Sequence, residues 1–359
     1  MKKNIIAMAV AAAVAAPAAV MADTTLYGKI HTSIDVWGGD NVDNSDYSFA
    51  SNSSRIGIKG KEDISDNLAL IYQWENGLDW GGKAGSGLGG ETRNTFVGFT
   101  GNWGTVIGGR HDTPFKSLGR KYDLFGDTIG DSRAIIRGTS ASPTTAGFDE
   151  RLDNVLAYAT PDLGGFSAMG AYVTNWSGDD ASAPTDINNE YDAYSLTAGY
   201  EIAGFMIDGG YEQHNIDDPN VAGISSEESA YRVGLGYKLG GFKVVGLYQQ
   251  ITDLGFQDDN DVEMWGVGGA YGFGKSTVKA QYYVADDTDN AVEDNGAELW
   301  AVGYDYKMSK QTSLYAAYGS MDADLAGTYE LTKGTGHGER ANFDGSDSNA
   351  FSVGLVHKF

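Results

Sequence analysis

The chain contains no cysteine, so neither a disulfide framework nor a thiolate metal site is open to it. Only 6 of its 359 residues are proline. Beyond the N-terminal segment no apolar run approaches the roughly 18 residues of a membrane-crossing helix, and a mean hydropathy of −0.31 excludes a helical membrane protein. Positive charge is scarce as well. Lys and Arg number 25 against 49 Asp and Glu, a formal charge of −24 and a pI near 4.4, which argues against nucleic acid as a partner. The five histidines, His31, His111, His214, His337 and His357, are scattered without metal-binding spacing. What is plentiful is glycine (51), tyrosine (21) and phenylalanine (14), a composition of strands and turns.

Lys2 and Lys3, the alanine-rich run Ile5 to Val20, and the small residues before Asp23 have the form of a secretory signal peptide over residues 1–22. The run is short for a membrane span and carries Pro17. Its removal leaves a chain that begins near Asp23, works outside the cytoplasm and carries a formal charge of −26.

From there the sequence alternates with a period of two. Leu26, Ile30, Ile34 and Val36 share one parity, while Lys29, His31, Ser33 and Asp35 share the other. The same holds for Ile56 and Ile58 against Arg55 and Lys59, for Phe205, Ile207 and Tyr211 against Asp208 and Glu212, and for Tyr231, Val233, Leu235 and Tyr237 against Arg232 and Lys238. A soluble sandwich alternates too. Three features favour a membrane barrel: segments of about 9 to 12 residues, short connections alternating with long polar ones, and aromatics at the segment ends beside the short turns, as in Tyr200 and Phe205, Tyr237 and Phe242, Tyr271 and Phe273, and Tyr306 and Phe359.

Charge on the lipid side costs roughly 2 to 4 kcal/mol near the midplane, so the charged parity must face a wet lumen. The segments are 24–37, 53–61, 68–78, 91–100, 103–110, 151–160, 165–175, 191–202, 204–214, 228–239, 241–252, 261–273, 275–285, 297–308, 311–321 and 348–359. They predict an all-β, 16-stranded antiparallel transmembrane β-barrel formed by residues 23–359 as a single domain, with both ends on the short-turn side. One stretch, about 111–150, refuses to read as strand, is flanked by Arg110 and Arg151, and contains Asp123, Asp127 and Asp131; it reads as a long ordered loop.

Several segments resemble the general diffusion porins of the Gram-negative outer membrane, a trimeric, 16-stranded family. They are Leu26-Tyr27-Gly28-Lys29, Ser54 to Asp63, Thr92-Arg93 with Val97-Gly98-Phe99, Gly104 to Arg110, Tyr122 to Phe125, Arg151 to Val155 with Tyr158, Thr160 and Pro161, and the terminal Phe359. The resemblance implies that the third long loop folds into the barrel and sets acids against a ladder of wall cations. By position the wall cations are Lys29, Arg55, Arg93 and Arg151, with Arg110, which ends the strand that feeds the loop, either a further wall cation or only a brace. The best loop-side acids are Asp123 and Asp127, with Asp131 behind them. The loop's own Arg133 and Arg137 depart from the pattern and would weaken that polarity. Opposed charges across a narrow aqueous gap admit small hydrophilic solutes and hold back apolar ones, which must displace ordered water. The family also implies a homotrimer, with Gly28 and Thr32 as flat outward positions. It further implies contact with outer-membrane lipid and lipopolysaccharide, and Phe359 as the signal read by the barrel-assembly machinery.

The loops 38–53, 176–190, 215–227, 253–260 and 286–296 hold 18 acids and no Lys or Arg. Asp258, Asp259, Asp286, Asp287 and Asp289 could hold Ca2+ or Mg2+ through oxygen ligands, or simply form a solvated rim. No cofactor is expected. The acidic mouth gathers cations while the ladder favours anions, so ion preference is open at this level. A substrate-selective channel would need a lumenal aromatic slide, for which Tyr27 and Tyr283 are too few. An outer-membrane barrel enzyme would need a partner for His357, and no serine or carboxylate can be assigned.

Overall fold

The structure is a computed structural model that describes residues 23–39, 46–80, 91–138, 147–174, 191–216, 225–324, 326–327, 329–332, 335–338 and 347–359. The expected leader, 1–22, lies outside the described residues. The strands are β1 (Thr25–Gly39), β2 (Tyr47–Ser51), β3 (Arg55–Ser65), β4 (Leu68–Gly77), β5 (Thr95–Gly101), β6 (Gly104–Asp112), β7 (Arg151–Ala159), β8 (Phe166–Val173), β9 (Ala193–Ile202), β10 (Phe205–Asn215), β11 (Glu227–Leu239), β12 (Phe242–Thr252), β13 (Val262–Phe273), β14 (Ser276–Ala285), β15 (Ala297–Lys307), β16 (Thr312–Ala323) and β17 (Ser348–Lys358). Each pairs antiparallel with its neighbours, and the sheet closes on itself where β1 meets β17. Among the described strands no edge is left to carry unpaired backbone groups in hydrocarbon.

The 17 stretches make a 16-stranded wall, because β2 and β3 are two halves of one strand. Both pair with β1: Thr32 to Val36 oppose β2, and Thr25 to Lys29 oppose β3. Between them Ser53 adopts a left-handed φ of 51°, and the Ser54 hydroxyl fills the gap in the ladder, donating to the His31 carbonyl and accepting from its N–H. The segment expected at 53–61 therefore runs on to Ser65 and is preceded by a strand the alternation did not reveal.

β11 shows why the barrel turns oily side out. Tyr231, Val233, Leu235 and Tyr237 are exposed, whereas Ala230, Arg232, Gly234 and Gly236 on the other parity are buried. The girdle aromatics Tyr200, Phe205, Phe242, Tyr271, Phe273, Tyr306 and Phe359 are also exposed. They sit beside turns such as Ala203-Gly204 and Gly240-Gly241. No described helix is long and apolar enough to cross a membrane. Val233, with Gly209 and Tyr248 as cross-strand neighbours, lies mid-strand on the oily face. Val233→Arg is expected to cost about 2–4 kcal/mol, read as a lower unfolding temperature in detergent; an unchanged temperature would place this face away from lipid.

The inner wall from β9 to β15 is buried, with Met206, Leu247, Ile251, Met264 and Leu299 in an apolar cluster, because the segment between β6 and β7 lies against it. That segment forms helix α1 (Pro114–Tyr122), packed on β9 to β12, and the short α2 (Arg133–Ile136), packed on β13 to β15. Gly234 makes room for it: a Cβ there would fall 2.2 Å from the Tyr122 ring.

Candidate functional site

The loop begins on a formed helix, not on irregular chain. Thr113 caps α1 by accepting from the Lys116 N–H at 3.1 Å, and Pro114 supplies a first-turn residue that needs no donor. Phe115, Leu118 and Tyr122 share the buried face. The Tyr122 hydroxyl donates to Asp208 of β10, and Lys121 reaches the same carboxylate at 2.7 Å. Further along, Gln281 of β14 donates to the Gly130 carbonyl (2.6 Å) and to Asp123 (2.9 Å), and accepts from the Leu124 N–H.

The strongest fastening is Arg232 of β11, fully buried beneath the loop. Its guanidinium donates to Asp149 at 2.9 and 3.1 Å, to the Phe115 carbonyl at 3.0 Å and to the Ile136 carbonyl at 3.2 Å, while Nε donates to Gln249 at 2.6 Å. One planar fork thus ties both ends of the loop to the wall. Arg232 and Glu212 were expected as wet lumenal charges. Both face inward, yet both are completely buried, because the loop covers that wall. Glu212 and Glu228 grip His214, on whose ring Phe148 stacks at 4.7 Å.

On the opposite wall stands the cation ladder. Arg93 and Arg55 share Glu75 of β4 at 2.7 and 3.4 Å, and the Tyr27 hydroxyl donates to the same carboxylate. Arg151 and Lys116 share Asp112 at 3.0 and 3.2 Å. Lys29 reaches across to the loop and pairs with Asp127 at 2.6 Å, where Arg120 and Arg133 also converge at 3.4 and 3.2 Å. Asp127 sits at a left-handed φ of 62°, held by its N–H donating to Asp131.

Lys29, Arg55, Arg93 and Arg151 are therefore brought to the lumen around the loop tip, with Asp127 in their midst. Three other placements decide or alter the sequence reading. Arg110 does not line the lumen: opposite Thr95 it shares the outward parity of Val97 and Phe99, and it braces the exterior through Asp153 (2.7 Å) and Glu91 (3.1 Å). A bulge between Gly109 and His111 separates it in facing from Asp112. Asp131 is wholly buried against Arg133 at 2.6 Å, a brace within the loop. Asp123 turns away from the ladder to Gln281.

Burial would raise the Asp127 pKa, but Lys29, Arg120 and Arg133 outweigh it and hold this carboxyl well below the usual range. Asp123 has no such escort. Burial and the nearby Asp131 charge push its pKa up to about 7 against the hydrogen bonds from Phe125 and Gln281.

Within this network Lys29, Arg55, Arg93, Lys116, Arg120, Arg133 and Arg151 face Glu75, Asp112, Asp127 and Asp131, seven positive charges to four negative. A cavity of about 220 Å3 opens here, lined by Arg93, Lys116, Arg120, Arg133, Arg137 and Arg151 and by the acids Glu91, Asp149 and Glu150. Sequence reasoning missed Glu75, Asp112 and Arg120. Glu75 was findable, since it stands on the inward parity of its strand opposite Gly57. Among the described residues no three or more His, Asp or Glu side chains converge as a metal-binding group, and Asp287 instead accepts from the N–H groups of Asn295 and Gly296.

A closed 16-stranded barrel with an inward-folded loop and a charged, water-accessible gap defines a membrane pore protein. A family model described as Gram-negative porin matches residues 7–328, and the chain belongs to that family. It lies in the outer membrane, as its relatives do. It is 29% identical over 220 residues to the major outer membrane protein P.IB of Neisseria gonorrhoeae, covering 57% of this chain and 55% of that protein. It is 32% identical over 177 residues to the outer membrane porin protein 32 of Delftia acidovorans, covering 48% and 50%. These matches span about half the length of those relatives. Among solved structures, an anion-selective porin from Comamonas acidovorans aligns over 94% of this chain and 99% of that one, with a TM-score of 0.75 and 24% identity, a likeness of fold. OmpT of Vibrio cholerae, solved in a trimer form, aligns with a TM-score of 0.65 and 19% identity.

Proposed function

We propose that this chain is a water-filled channel for passive diffusion of small hydrophilic solutes, and that its constriction favours anions. The observation that carries the reading is the surplus of cations at the eyelet, where Glu75, Asp112 and Asp127 are each shared by two or three Lys or Arg side chains. In a narrow gap with low-dielectric walls that surplus outweighs the distant acidic mouth, whose field falls off within about 10 Å in 0.1 M salt. The fold partner named above as an anion-selective porin points the same way. Single-channel recording across a salt gradient tests this, and a reversal potential of the sign set by cations would reject the preference for anions.

The Asp123 carboxyl gives the preference a pH dependence. A raised pKa means that it takes up its proton as the pH falls through about 7. From about pH 8 to about pH 5.5 the lumen therefore loses one negative charge per chain, while Asp127 stays ionised. Anion preference should rise as the pH falls; a reversal potential that moves the other way, or Asp123→Asn that leaves the shift intact, would refute this assignment.

We place the chain in a homotrimer, with current steps in groups of three as the corresponding observation. The flat position expected at Gly28 is covered by the Phe359 ring of the same chain, a Cβ on Gly28 falling 2.4 Å from Phe359 Cζ. Phe359 also exchanges two backbone hydrogen bonds with Gly28 at 3.0 and 3.1 Å, closing the barrel seam. As a signal for the barrel-assembly machinery its ring matters and its backbone does not. Phe359→Ala should lower the amount in the outer membrane while refolding into detergent stays normal; normal amounts in the membrane would remove that role. Lipid and lipopolysaccharide are proposed to contact the outer face. We read the chain as a channel and not an enzyme. Divalent cations bridging Asp258, Asp259, Asp286, Asp287 and Asp289 are a proposal without a formed site among the described residues.

A further inference from the structure

The lumen receives a second segment, from the connection between β16 and β17. Tyr329 and Leu331 are buried in the same apolar cluster as Ile129 of the third loop and Tyr315 of the wall. At Gly336 a Cβ would fall 1.9 Å from Asp127 Oδ1 and 2.6 Å from Ser53 Oγ, so the backbone there passes directly over the acid that Lys29 grips. Thr335 and Gly336 line the cation-rich cavity.

His337 holds the segment in place. It is 3% exposed, with Nε2 3.3 Å from Asp35 Oδ2 and 3.4 Å from Ser33 Oγ, and its ring meets Trp37 edge-on. Nδ1 lies 2.8 Å from the Gly338 carbonyl. Both ring nitrogens are thus engaged, one toward the Asp35 carboxylate and one toward a backbone carbonyl. The Gly338 N–H donates to Asn52 Oδ1 at 3.1 Å, and Asn52 sits in the break between β2 and β3. The interruption of that wall strand is thus the socket for the loop. Asp35 is wholly buried, and without His337 its carboxylate would be left to the hydroxyls of Ser33 and Ser48. Losing a hydrogen-bonding partner of a buried carboxylate is costly.

We propose that His337 and Asp35 form a latch that holds residues 335–338 in the lumen over the third loop, so that this segment and the third loop together set the width of the pore and His337 acts as a positioning residue. This rests on the channel reading above. In planar bilayers His337→Ala and Asp35→Asn should each raise single-channel conductance by about 1.5- to 2-fold, because the lining at the narrowest point retracts. The double variant should gain no more than either single one, since the same contact is lost. In the unaltered protein the Gly338 amide should exchange slowly with deuterium, and in either variant that folds it should exchange quickly. Unchanged conductance in folded variants, or fast exchange of Gly338 in the unaltered protein, overturns the latch. The exchange measurement needs no current and no variant. An unaltered protein without current but with a protected Gly338 would therefore reject the channel reading and leave the docking intact.

Discussion

The double substitution Arg55→Glu and Arg120→Glu is expected to reverse the sign of the channel's ion preference. Both side chains belong to the eyelet, Arg55 on the wall and Arg120 on the loop, and both are only loosely held, at 3.4 Å from Glu75 and from Asp127 respectively. Their partners keep tighter contacts when they leave: Glu75 retains Arg93 at 2.7 Å, and Asp127 retains Lys29 at 2.6 Å. The barrel and the loop should therefore persist. The network charge, seven positive to four negative before the change, becomes five positive to six negative. Unit charges about 4 Å apart interact by about 1 kcal/mol even in bulk water, so four units of change should move the anion-to-cation permeability ratio by at least an order of magnitude. The measurement is the reversal potential in a tenfold salt gradient, with the outer loops untouched. A ratio still favouring anions would mean that selectivity resides elsewhere than in this network.

Removal of Arg232 should release the third loop while sparing the wall. Arg232→Ala strips Asp149 of its bidentate partner, takes one donor from the Phe115 carbonyl and leaves the Ile136 carbonyl to Gln249 alone, all at a position with no solvent access. Breaking a buried pair in this way costs about 3–5 kcal/mol. The cost falls on the loop, because the ladders of β11 with β10 and β12 involve backbone only. Bilayer recordings should show larger, fluctuating conductance from a barrel that still resists heat in detergent. Arg232→Lys should rescue little, since one ammonium cannot serve an acid and two carbonyls at the angles of a guanidinium fork. Replacing the pair with apolar residues, Arg232→Met with Asp149→Leu, should restore quiet openings by removing the uncompensated charge. Steady wild-type currents from Arg232→Ala would show that Tyr122, Gln281 and the helix face suffice to pin the loop.

The wall was legible in the sequence because a strand that separates lipid from water must write that separation into alternate residues. Tyr231, Val233, Leu235 and Tyr237 against Arg232 and Lys238 leave little choice of facing, and the spacing of turns follows. The inner surface was less legible, for a physical reason. Parity shows that Arg232, Glu212 and Tyr283 point inward, but whether they meet water or a covering segment depends on where a distant loop lies. The same limit applies to the loop. Asp123, Asp127 and Asp131 differ little in local sequence, yet one faces Gln281, one meets Lys29 and one is enclosed by Arg133. Arg110 shows a further limit, since a single bulged residue reversed its facing relative to the strand end that carries Asp112.

By itself, then, the sequence determined a lipid-facing, water-filled cylinder, its strand number, and the presence of one long polar segment too rich in charge to be a wall. Those follow from short-range periodicity, which local chemistry enforces residue by residue. The tertiary structure decided which charges neutralise one another, that the third loop is clamped through Arg232, and that a second loop is seated by His337 in the gap between β2 and β3. Those outcomes depend on contacts between residues tens to hundreds of positions apart, whose energies exist only once the barrel has closed around them.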